Sequence, residues 1–574
     1  MLRKKEIVDI NKMDRLQVLL FIIVVLSAMI LIRLFYLQVL NGGDYLATAK
    51  DQHLLVANMK SKRGEIFLSS SNDIDYPLAI NRAYLGLYAI PNSITEDPLK
   101  ISKKLAEILE MDEEVLYWRL AKEDDIYEPI KTKLTDEEIE KIEELDYDGI
   151  EFSEETYRYY PNESIGSHLV GYVGWQNETL VGNYGLEGYW QEELAGKCAT
   201  IIAEKDVYGN VITIGENNNE NVIDGNDFYL TIDQAIQHFT CEELKKSAED
   251  YEAISGTVIV LNPKNGDILA MCNYPEFNPN TYSEVEDINI YNNEATFSAY
   301  EPGSVFKAMT MAMGLDLELV TPETTYFDTG KFEVEDYTIG NSDNKAHGLQ
   351  TMVQVLDESL NTGAAWVSEK VNRERFQTYA KNFGFGQKTG IELDSEVAGD
   401  LSNLEKKGRV FLATASYGQG ITATPIQLAM AFGSFANGGY LYKPRIIKKI
   451  ADPHGKVQEF EPELIRKVIS ERTSKQISAM LVSVIESGHA SLAGVDGYYL
   501  GGKTGTAQVA KRGGYSSDNA IHTFVGFGPA KDPKFVVLTK FDSPKRAWSA
   551  STAAPLFGKI AEFILDYYKI GPER

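Results

Sequence analysis

The hydrophobic pattern begins with a long apolar run near the N-terminus. No charged residue occurs from Leu16 to Ile32, and apolar residues resume after Arg33 as far as residue 40. A membrane-spanning helix needs about 20 mostly apolar residues, and an arginine near its end can place its guanidinium among the lipid headgroups. The run has neither the polar face of a soluble helix nor a small-residue cleavage site after it. We therefore predict an uncleaved membrane anchor at residues 16–40.

After the anchor, the pattern changes to short β-like runs and an acidic helical block. Between Pro98 and Asp146, apolar residues recur at helical spacing among many glutamates, which predicts helices with solvated outer faces. A run of Asn and Glu at residues 216–221, followed by Asp224-Gly225-Asn226-Asp227, is typical of exposed turns and predicts a domain boundary. The predicted organisation is a tail at 1–15, the anchor at 16–40, a scaffold domain at 41–225 and a second domain at 226–574.

The second domain has predicted strands at both ends and helices between them. Asp233 is placed to cap a helix that follows the first strand, and residues 553–568 predict a last helix. Apolar runs bounded by turn residues predict strands at 228–232, 257–261, 268–271, 524–527 and 535–538. This order indicates an α+β domain of roughly 350 residues.

Charge narrows the class and the location of the protein. The 574 residues include 56 Lys and Arg against 84 Asp and Glu, a formal net charge of −28. This argues against a nucleic-acid partner, because binding to phosphates needs a basic surface. The first 15 residues hold five basic and three acidic residues, so the positive-inside rule places the N-terminus in the cytoplasm. We expect a single-pass protein of the cell membrane whose remaining chain is extracytoplasmic.

The cysteines add no predicted cross-link or metal site. Cys198, Cys241 and Cys272 are odd in number and widely spaced, which predicts neither a disulfide framework nor a zinc site. Cys272 follows an apolar strand, so we expect it in the core and not as a reactive thiol.

Candidate chemistry is concentrated after a Pro-Gly turn at residues 302–303. The turn brings Ser304 to the start of a helix that is apolar nearly all round, and Lys307 lies on the same helical face one turn later. Helix N-termini expose unpaired N–H groups that favour developing negative charge. A serine there, with an amine nearby, is the arrangement of an activated nucleophile with its base.

Two further motifs favour this site over similar triplets elsewhere. Ser359 and Asn361 follow a predicted helix and precede small residues, and the run Lys503-Thr504-Gly505-Thr506 predicts a strand that presents a cation and hydroxyls. Similar triplets elsewhere are interpreted as decoys. They are Ser342-Asp343-Asn344-Lys345, which fits two motifs in an exposed loop, Ser517-Asp518-Asn519, and Lys388-Thr389-Gly390, which is followed by an acidic residue.

The ordered trio Ser-x-x-Lys, Ser-x-Asn and Lys-Thr-Gly is typical of β-lactamases and penicillin-binding proteins. Over almost its whole length the chain resembles a class B penicillin-binding protein, a monofunctional peptidoglycan D,D-transpeptidase. Further matching stretches are Arg63-Gly64-Glu65-Ile66, Arg158-Tyr159-Tyr160-Pro161, Gly185-Leu186-Glu187 and Tyr417-Gly418-Gln419-Gly420. One departure is at residues 67–72, where the usual Asp-Arg-x-Gly of the family is replaced. The resemblance implies a pedestal like the penicillin-binding protein dimerisation domain, and a transpeptidase domain with an antiparallel, serine-β-lactamase-like sheet flanked by helices.

The resemblance also implies roles for individual residues. Ser304 would be the nucleophile, Lys307 its base, and Ser359 the relay of a proton to the leaving amine. Asn361 would orient Lys307 and hold the substrate amide, and the N–H groups of Ser304 and Thr506 would form the oxyanion hole. The terminal carboxylate of the substrate would be bound by the strand residues Lys503, Thr504, Gly505 and Thr506. No metal or cofactor is implied.

The implied substrates are peptidoglycan stem peptides that end in D-Ala-D-Ala, and β-lactams would acylate the same serine. The short tail and single span favour a role at the division septum. Implied partners are a multispan glycosyltransferase of the shape, elongation, division and sporulation family and other divisome proteins. The alternatives are an elongation-type class B transpeptidase and, less favoured, a D,D-carboxypeptidase or a β-lactam sensor. A β-lactamase, a bifunctional synthase and a catalytically silent scaffold fit the layout less well.

Overall fold

A computed structural model describes residues 15–43, 45, 54–59, 61–72, 74–122, 125–176, 179–205, 211–214, 222–511 and 514–574. The chain divides into two compact units, one of residues 1–61 and 197–223 and the other of residues 62–196 and 224–574. Two predicted features lie outside the described residues. These are the basic tail, apart from its last residue, and the Asn-rich run at 216–221 where we predict a domain boundary.

Seventeen α-helices occur among the described residues, and we number them in chain order. They are α1 (Arg15–Phe35), α2 (Pro98–Leu109), α3 (Glu113–Leu120), α4 (Asp136–Glu143), α5 (Ser167–Val170), α6 (Gly185–Tyr189), α7 (Gln191–Ala195), α8 (Gln234–Asp250), α9 (Glu294–Phe297), α10 (Lys307–Asp316), α11 (Met352–Asp357), α12 (Asn361–Val371), α13 (Arg373–Asn382), α14 (Arg409–Ala415), α15 (Pro425–Ala436), α16 (Glu471–Glu486) and α17 (Ala553–Tyr567).

The strands of the described residues are numbered in the same way. They are β1 (Leu54–Met59), β2 (Ile66–Ser69), β3 (Tyr76–Ala89), β4 (Glu128–Lys131), β5 (Ile150–Tyr159), β6 (Tyr172–Gln176), β7 (Thr179–Asn183), β8 (Ala199–Lys205), β9 (Val211–Ile214), β10 (Asp227–Asp233), β11 (Ser255–Leu261), β12 (Ile268–Tyr274), β13 (Thr325–Asp328), β14 (Lys331–Val334), β15 (Tyr337–Gly340), β16 (Gly348–Thr351), β17 (Tyr440–Tyr442), β18 (Ile447–Ala451), β19 (Val457–Glu459), β20 (Leu464–Lys467), β21 (Gly501–Lys511), β22 (Gly514–Gly528) and β23 (Phe535–Asp542).

The smaller unit contains the predicted anchor helix and a small antiparallel sheet of order β1-β8-β9. Helix α1 continues as a π-helical turn over Tyr36–Leu40. Together they form the helix of the described residues that is long and apolar enough to cross a membrane. Arg33 lies in the last turn of α1, and its guanidinium is 5.4 Å from the ring centroid of Tyr36. The predicted apolar helix is therefore confirmed as a structural element.

The larger unit begins with a mixed sheet of order β19-β18-β10-β2-β3-β4, in which β5 also pairs with β3. Strands β2 and β10 run parallel, and the other pairs are antiparallel. The unusual residues 67–72 leave β2 intact, because Phe67 pairs with Tyr229 and stacks on its ring. The predicted acidic helices are α2, α3 and α4. They cover a small separate core with Leu87, Ile101 and Leu116 at its centre.

The second sheet of this unit is antiparallel and has the order β12-β11-β23-β22-β21. Helices α8 and α17 lie on one face, where Phe524 packs on Phe557 and Thr539 donates to the carbonyl of Ala553. Helix α15 and the segment that leads into α10 lie on the other face. Every strand of this sheet that the sequence predicted is present, and Asp233 caps α8 as expected. The predicted α+β class is confirmed.

The prediction that the cysteines form no disulfide is wrong. Cys241 on α8 and Cys272 on β12 are joined by a disulfide, with their Cα atoms 5.3 Å apart. The two residues are 31 positions apart, and only the packing of α8 across β12 brings them together. Gln237 fixes that packing, because its side chain donates to the carbonyl of Met271 and accepts from the amide of the same residue. Cys272 is buried in the core, as expected.

A buried ion cluster joins three of the matching stretches. Glu187 is fully buried and bonds Arg63 at 2.5 Å and Arg158 at 2.6 Å. Burial alone would raise the pKa of Glu187, but the guanidiniums of Arg158 and Arg63 more than reverse this effect and lower it. Arg158 also donates to the carbonyl of Gly64. Three distant segments of the chain are therefore joined around a single carboxylate.

We expect Glu187→Ala to lower the free energy of unfolding by about 3–5 kcal/mol, because it leaves two guanidiniums buried without their partner. The measurement is thermal or urea unfolding of the full chain in detergent. Glu137→Gln is the matched control, because Glu137 pairs with Lys141 on an exposed helical face and its loss should leave the unfolding midpoint unchanged. An equal effect of the two substitutions would contradict the assignment.

Candidate active site

Ser304 lies in a single 3-10 turn, Gly303–Phe306, that leads into α10. The turn depends on two glycines. Gly303 has a φ of +55° and donates its amide to the carbonyl of Gly418 at 3.2 Å. A Cβ on Gly418 would lie 2.2 Å from the carbonyl oxygen of Gly303, so only glycine fits there. Ser304 is left half-buried while its neighbours Val305 and Phe306 enter the core.

Lys307 points into the same site one turn later. Its side chain is 1% exposed, and its Nζ donates to the carbonyl of Ser359 at 2.5 Å and to the Ser359 Oγ at 3.2 Å. Ser359 has a φ of +55°, a left-handed backbone that is uncommon for serine and that lies in the short connection between α11 and α12. The structure therefore brings two of the predicted motifs into direct contact through the amine of Lys307.

Electrostatics favour a neutral Lys307. Burial lowers the pKa of Lys307 well below its ordinary value, and the charge of Lys503 lowers it further. Burial also lowers the pKa of Lys503 to about 8, and the carboxylate of Asp357 partly opposes that effect. The neutral form of Lys307 is therefore favoured relative to an ordinary lysine, while Lys503, with a pKa of about 8, is still largely a cation at neutral pH. The site thus combines an amine that favours its neutral form with a nearby cation.

Asn361 begins α12 two residues after Ser359, but its side-chain amide is hydrogen-bonded to a residue of strand β15. Its Nδ2 donates to the carbonyl of Gly340, at the end of β15, at 2.9 Å. The next residue, Thr362, is buried and donates to Asp328 at 2.8 Å. Among the described residues, the hydrogen bonds of the Lys307 side chain go to Ser359, so contact between Lys307 and Asn361 stays a prediction.

Strand β21 passes directly beside the serine turn. A Cβ on Gly505 would lie 2.8 Å from a methyl group of Val305 and 2.9 Å from the carbonyl oxygen of Pro302. Glycine at this position therefore lets the backbone of the strand approach the turn. The approach places the residues on either side of Gly505 next to Ser304. Amides from the turn and from the strand can then face one developing negative charge.

The polar side chains of β21 differ in their hydrogen-bond partners. The Nζ of Lys503 lies 3.3 Å from the Oγ1 of Thr504, so these two groups are available together for a carboxylate. The hydroxyl of Thr506 is already engaged, because it donates to the Oγ of Ser549 at 3.1 Å and accepts from the amide of that residue at 3.4 Å. The structure thus gives Lys503 and Thr504 a different environment from Thr506.

The decoy motifs lie elsewhere. In the second Lys-Thr-Gly triplet, the amide and hydroxyl of Thr389 both donate to Glu396 at 2.6 Å, so that triplet holds a carboxylate of its own chain. Residues 342–345 form an exposed loop, as predicted. Residues 517–519 belong to β22, and the side chains of 517 and 518 lie outside the described residues.

Sequence reasoning missed the buried polar residues behind the motifs. Asp357 accepts from Ser483 at 2.9 Å close to Lys503, and Tyr300, Thr523 and Lys540 lie together beneath the serine turn. The sequence could have indicated Thr523 and Lys540, because each is a polar residue at an inward-facing position of a mostly apolar strand. No motif marks them.

Comparison with known proteins agrees with this geometry. Residues 256–562 match the penicillin binding protein transpeptidase domain, and residues 58–230 match the penicillin-binding protein dimerisation domain. The chain is 36% identical to stage V sporulation protein D of Bacillus subtilis, over 99% of this chain and 88% of that protein. It is 28% identical to a probable peptidoglycan D,D-transpeptidase, PenA, of Neisseria meningitidis, over 98% and 94%. The crystal structure of penicillin binding protein 3 from Mycobacterium tuberculosis with ampicillin superposes with a TM-score of 0.68 at 25% identity, covering 90% of this chain and 97% of that one.

Proposed function

Because the chain belongs to the class B penicillin-binding proteins and is a serine-type peptidoglycan D,D-transpeptidase, we propose that Ser304 is its nucleophile. We also propose that the protein cross-links stem peptides at the division septum. One observation carries the assignment of the site. The buried amine of Lys307, bonded to Ser359, lies close enough to Lys503 for the two charges to oppose each other. A neutral lysine beside a serine and an anion-binding cation is the arrangement needed for acyl transfer from the amide carbonyl of a peptide whose terminal carboxylate is bound by the cation.

The reaction begins when the Oγ of Ser304 attacks the carbonyl carbon of the penultimate D-Ala and transfers its proton to Lys307. The negative charge that develops on the carbonyl oxygen is held by the N–H groups of Ser304 and Thr506, each worth about 3–4 kcal/mol in related chemistry. The C–N bond then breaks, and the leaving D-Ala amine takes a proton from Lys307 through Ser359. An acyl-enzyme ester on Ser304 remains.

The second half of the reaction reverses the proton path. An amine of a second stem peptide attacks the ester, its proton passes to Lys307, and the Ser304 oxygen leaves and is reprotonated. Lys503 and Thr504 bind the terminal carboxylate of the donor, and Asn361 holds the substrate amide. A β-lactam presents a strained amide and a carboxylate to the same groups, so it acylates Ser304 in place of the peptide.

The anchor extends this proposal to the cell. We propose that the apolar helix at Arg15–Leu40 anchors the protein in the cell membrane as a single span, with the N-terminus in the cytoplasm and the transpeptidase domain outside. The length and composition of the helix and the basic residues before it support this proposal. We propose that a multispan glycosyltransferase of the shape, elongation, division and sporulation family is its partner. A role in cell-wall synthesis during sporulation is a second candidate. It is supported by the 36% identity, over 99% of this chain, to a relative named stage V sporulation protein D.

Labelling with a fluorescent penicillin tests the nucleophile. We expect Ser304→Ala to abolish labelling and Lys307→Arg to slow it by about 100-fold or more, because a guanidinium does not accept the serine proton. Ser342→Ala and Lys345→Arg, the same substitutions in the exposed decoy, should label at the wild-type rate. Persistent labelling of Ser304→Ala would move the nucleophile elsewhere.

The pH profile of acylation tests the two lysines. Lys307 acts as the neutral amine, so the rate should rise as pH passes its lowered pKa. Lys503 acts as the cation, so the second-order acylation rate should fall as pH rises through its pKa of about 8. Lys503→Arg stays charged, and it should move the alkaline limb of the normalised profile to higher pH. Lys388→Arg in the decoy triplet is the control, and an unchanged alkaline limb in Lys503→Arg would exclude Lys503 as the titrating cation.

A fluorescent fusion in growing cells tests the site of action. We expect a band at midcell that appears before constriction. Lateral patches would favour the elongation role, and a signal confined to sporulating cells would favour the second candidate.

A further inference from the structure

Beneath the serine turn, the inner face of the second sheet carries a buried polar row. The strand register places Gly505 opposite Thr523, Thr523 opposite Lys540, and Lys540 opposite Thr257. Thr523 and Lys540 are each 1% exposed. In the next row, Lys503 on β21 is opposite Val525, and the rest of that row, Val525, Leu538 and Ile259, is apolar. Because a buried polar group costs free energy unless it has partners, the partners of this row identify what it does.

Lys540 is satisfied from two sides. Its Nζ lies 2.5 Å from a carboxylate oxygen of Asp542, which also accepts from Ser255. On the other side, the Nζ is 5.3 Å from the centroid of the Tyr300 ring, within the range of a cation–π contact. The hydroxyl of Tyr300 in turn bonds the hydroxyl of Thr523 at 3.0 Å. The ring of Tyr300 is thereby fixed at its face and at its tip.

Tyr300 belongs to the segment that carries the nucleophile. It lies four residues before Ser304, and its backbone pairs with Ala423 through bonds of 3.0 and 2.9 Å in the two directions. Its side chain, 5% exposed, reaches the sheet at Thr523, directly opposite Gly505. The bond between Tyr300 and Thr523 therefore joins the turn of Ser304 to the strand next to the one that carries Thr506.

We propose that Tyr300, Thr523 and Lys540 are positioning residues that fix the spacing between the serine turn and β21, and thus the width of the oxyanion hole. The proposal rests on the proposed function, in which the amides of Ser304 and Thr506 hold the developing negative charge. None of the three side chains touches the substrate. They act on the rate of acylation because the amides help only when they are correctly placed before the reaction.

The test is stopped-flow acylation by a chromogenic β-lactam, which separates the dissociation constant of the initial complex from the acylation rate constant. We expect Tyr300→Phe, which removes one oxygen atom, and Thr523→Val to lower the rate constant by about 10-fold or more. The dissociation constant should change by less than about two-fold, because Lys503 and Thr504 still bind the carboxylate. Thr523→Ser keeps the hydroxyl and should retain the wild-type rate.

Non-additivity sharpens the test. The double variant Tyr300→Phe with Thr523→Val should acylate no more slowly than the slower single variant, because both remove the same hydrogen bond. Lys540→Met should also lower the rate constant, and if it fails to fold, Tyr300→Phe still decides the question. Thr539→Val is the matched control. Thr539 lies on β23 next to Lys540, but its side chain is on the opposite face of the sheet, where it donates to the carbonyl of Ala553. Loss of this buried hydrogen bond should lower the thermal midpoint without slowing acylation.

The proposal is overturned if Tyr300→Phe and Thr523→Val acylate at the wild-type rate while their thermal midpoints fall as that of Thr539→Val does. Additive losses in the double variant would overturn it as well. Failure of the proposed function looks different, because it would appear as an unlabelled wild-type protein or a labelled Ser304→Ala.

Discussion

The chemistry of this protein depends on burying a lysine that has no carboxylate partner. Among the described residues, the side chain of Lys307 has hydrogen bonds to Ser359 but no ion pair, and the charge of Lys503 opposes its protonation. Its protonated form therefore loses hydration without gaining a counter-ion, and the neutral amine is favoured. In the proposed mechanism this amine accepts the serine proton, so the roles proposed for Ser304, Ser359 and Lys503 all rest on this one environment.

That environment requires a close meeting of backbones. The serine turn must lie against β21, and glycines at three positions allow this contact. Gly303 and Gly418 pack against each other, and Gly505 brings the strand within a few ångströms of Pro302 and Val305. The apolar helix α10 and the sheet then exclude water from the amine. Glycine lowers the intrinsic stability of a strand, but here the glycines allow the serine turn and the Lys-Thr-Gly strand to come into contact.

The sequence was sufficient where local pattern and chemistry coincide. The helix cap at Asp233, the strands β11 and β12 and the serine turn are all local, and they are present as predicted. Features that depend on distant packing were not predictable. The disulfide between Cys241 and Cys272 needs α8 to cross β12, and the carboxylate that occupies the second Lys-Thr-Gly triplet is Glu396 and not the adjacent acidic residue. The side-chain amide of Asn361 likewise donates to the carbonyl of Gly340, which lies on a strand that no sequence motif predicts.

Buried charge also separates structural from chemical residues in this fold. Lys307, Lys503 and Lys540 are each 1% exposed, so burial alone does not distinguish them. Lys540 lies 2.5 Å from Asp542, and the buried Glu187 likewise has two arginines. Lys307 and Lys503 have no such ion pair among the described residues, and burial lowers the pKa of each. A paired buried charge holds segments of the chain together, whereas an unpaired one is left ready to exchange a proton or to bind an anion.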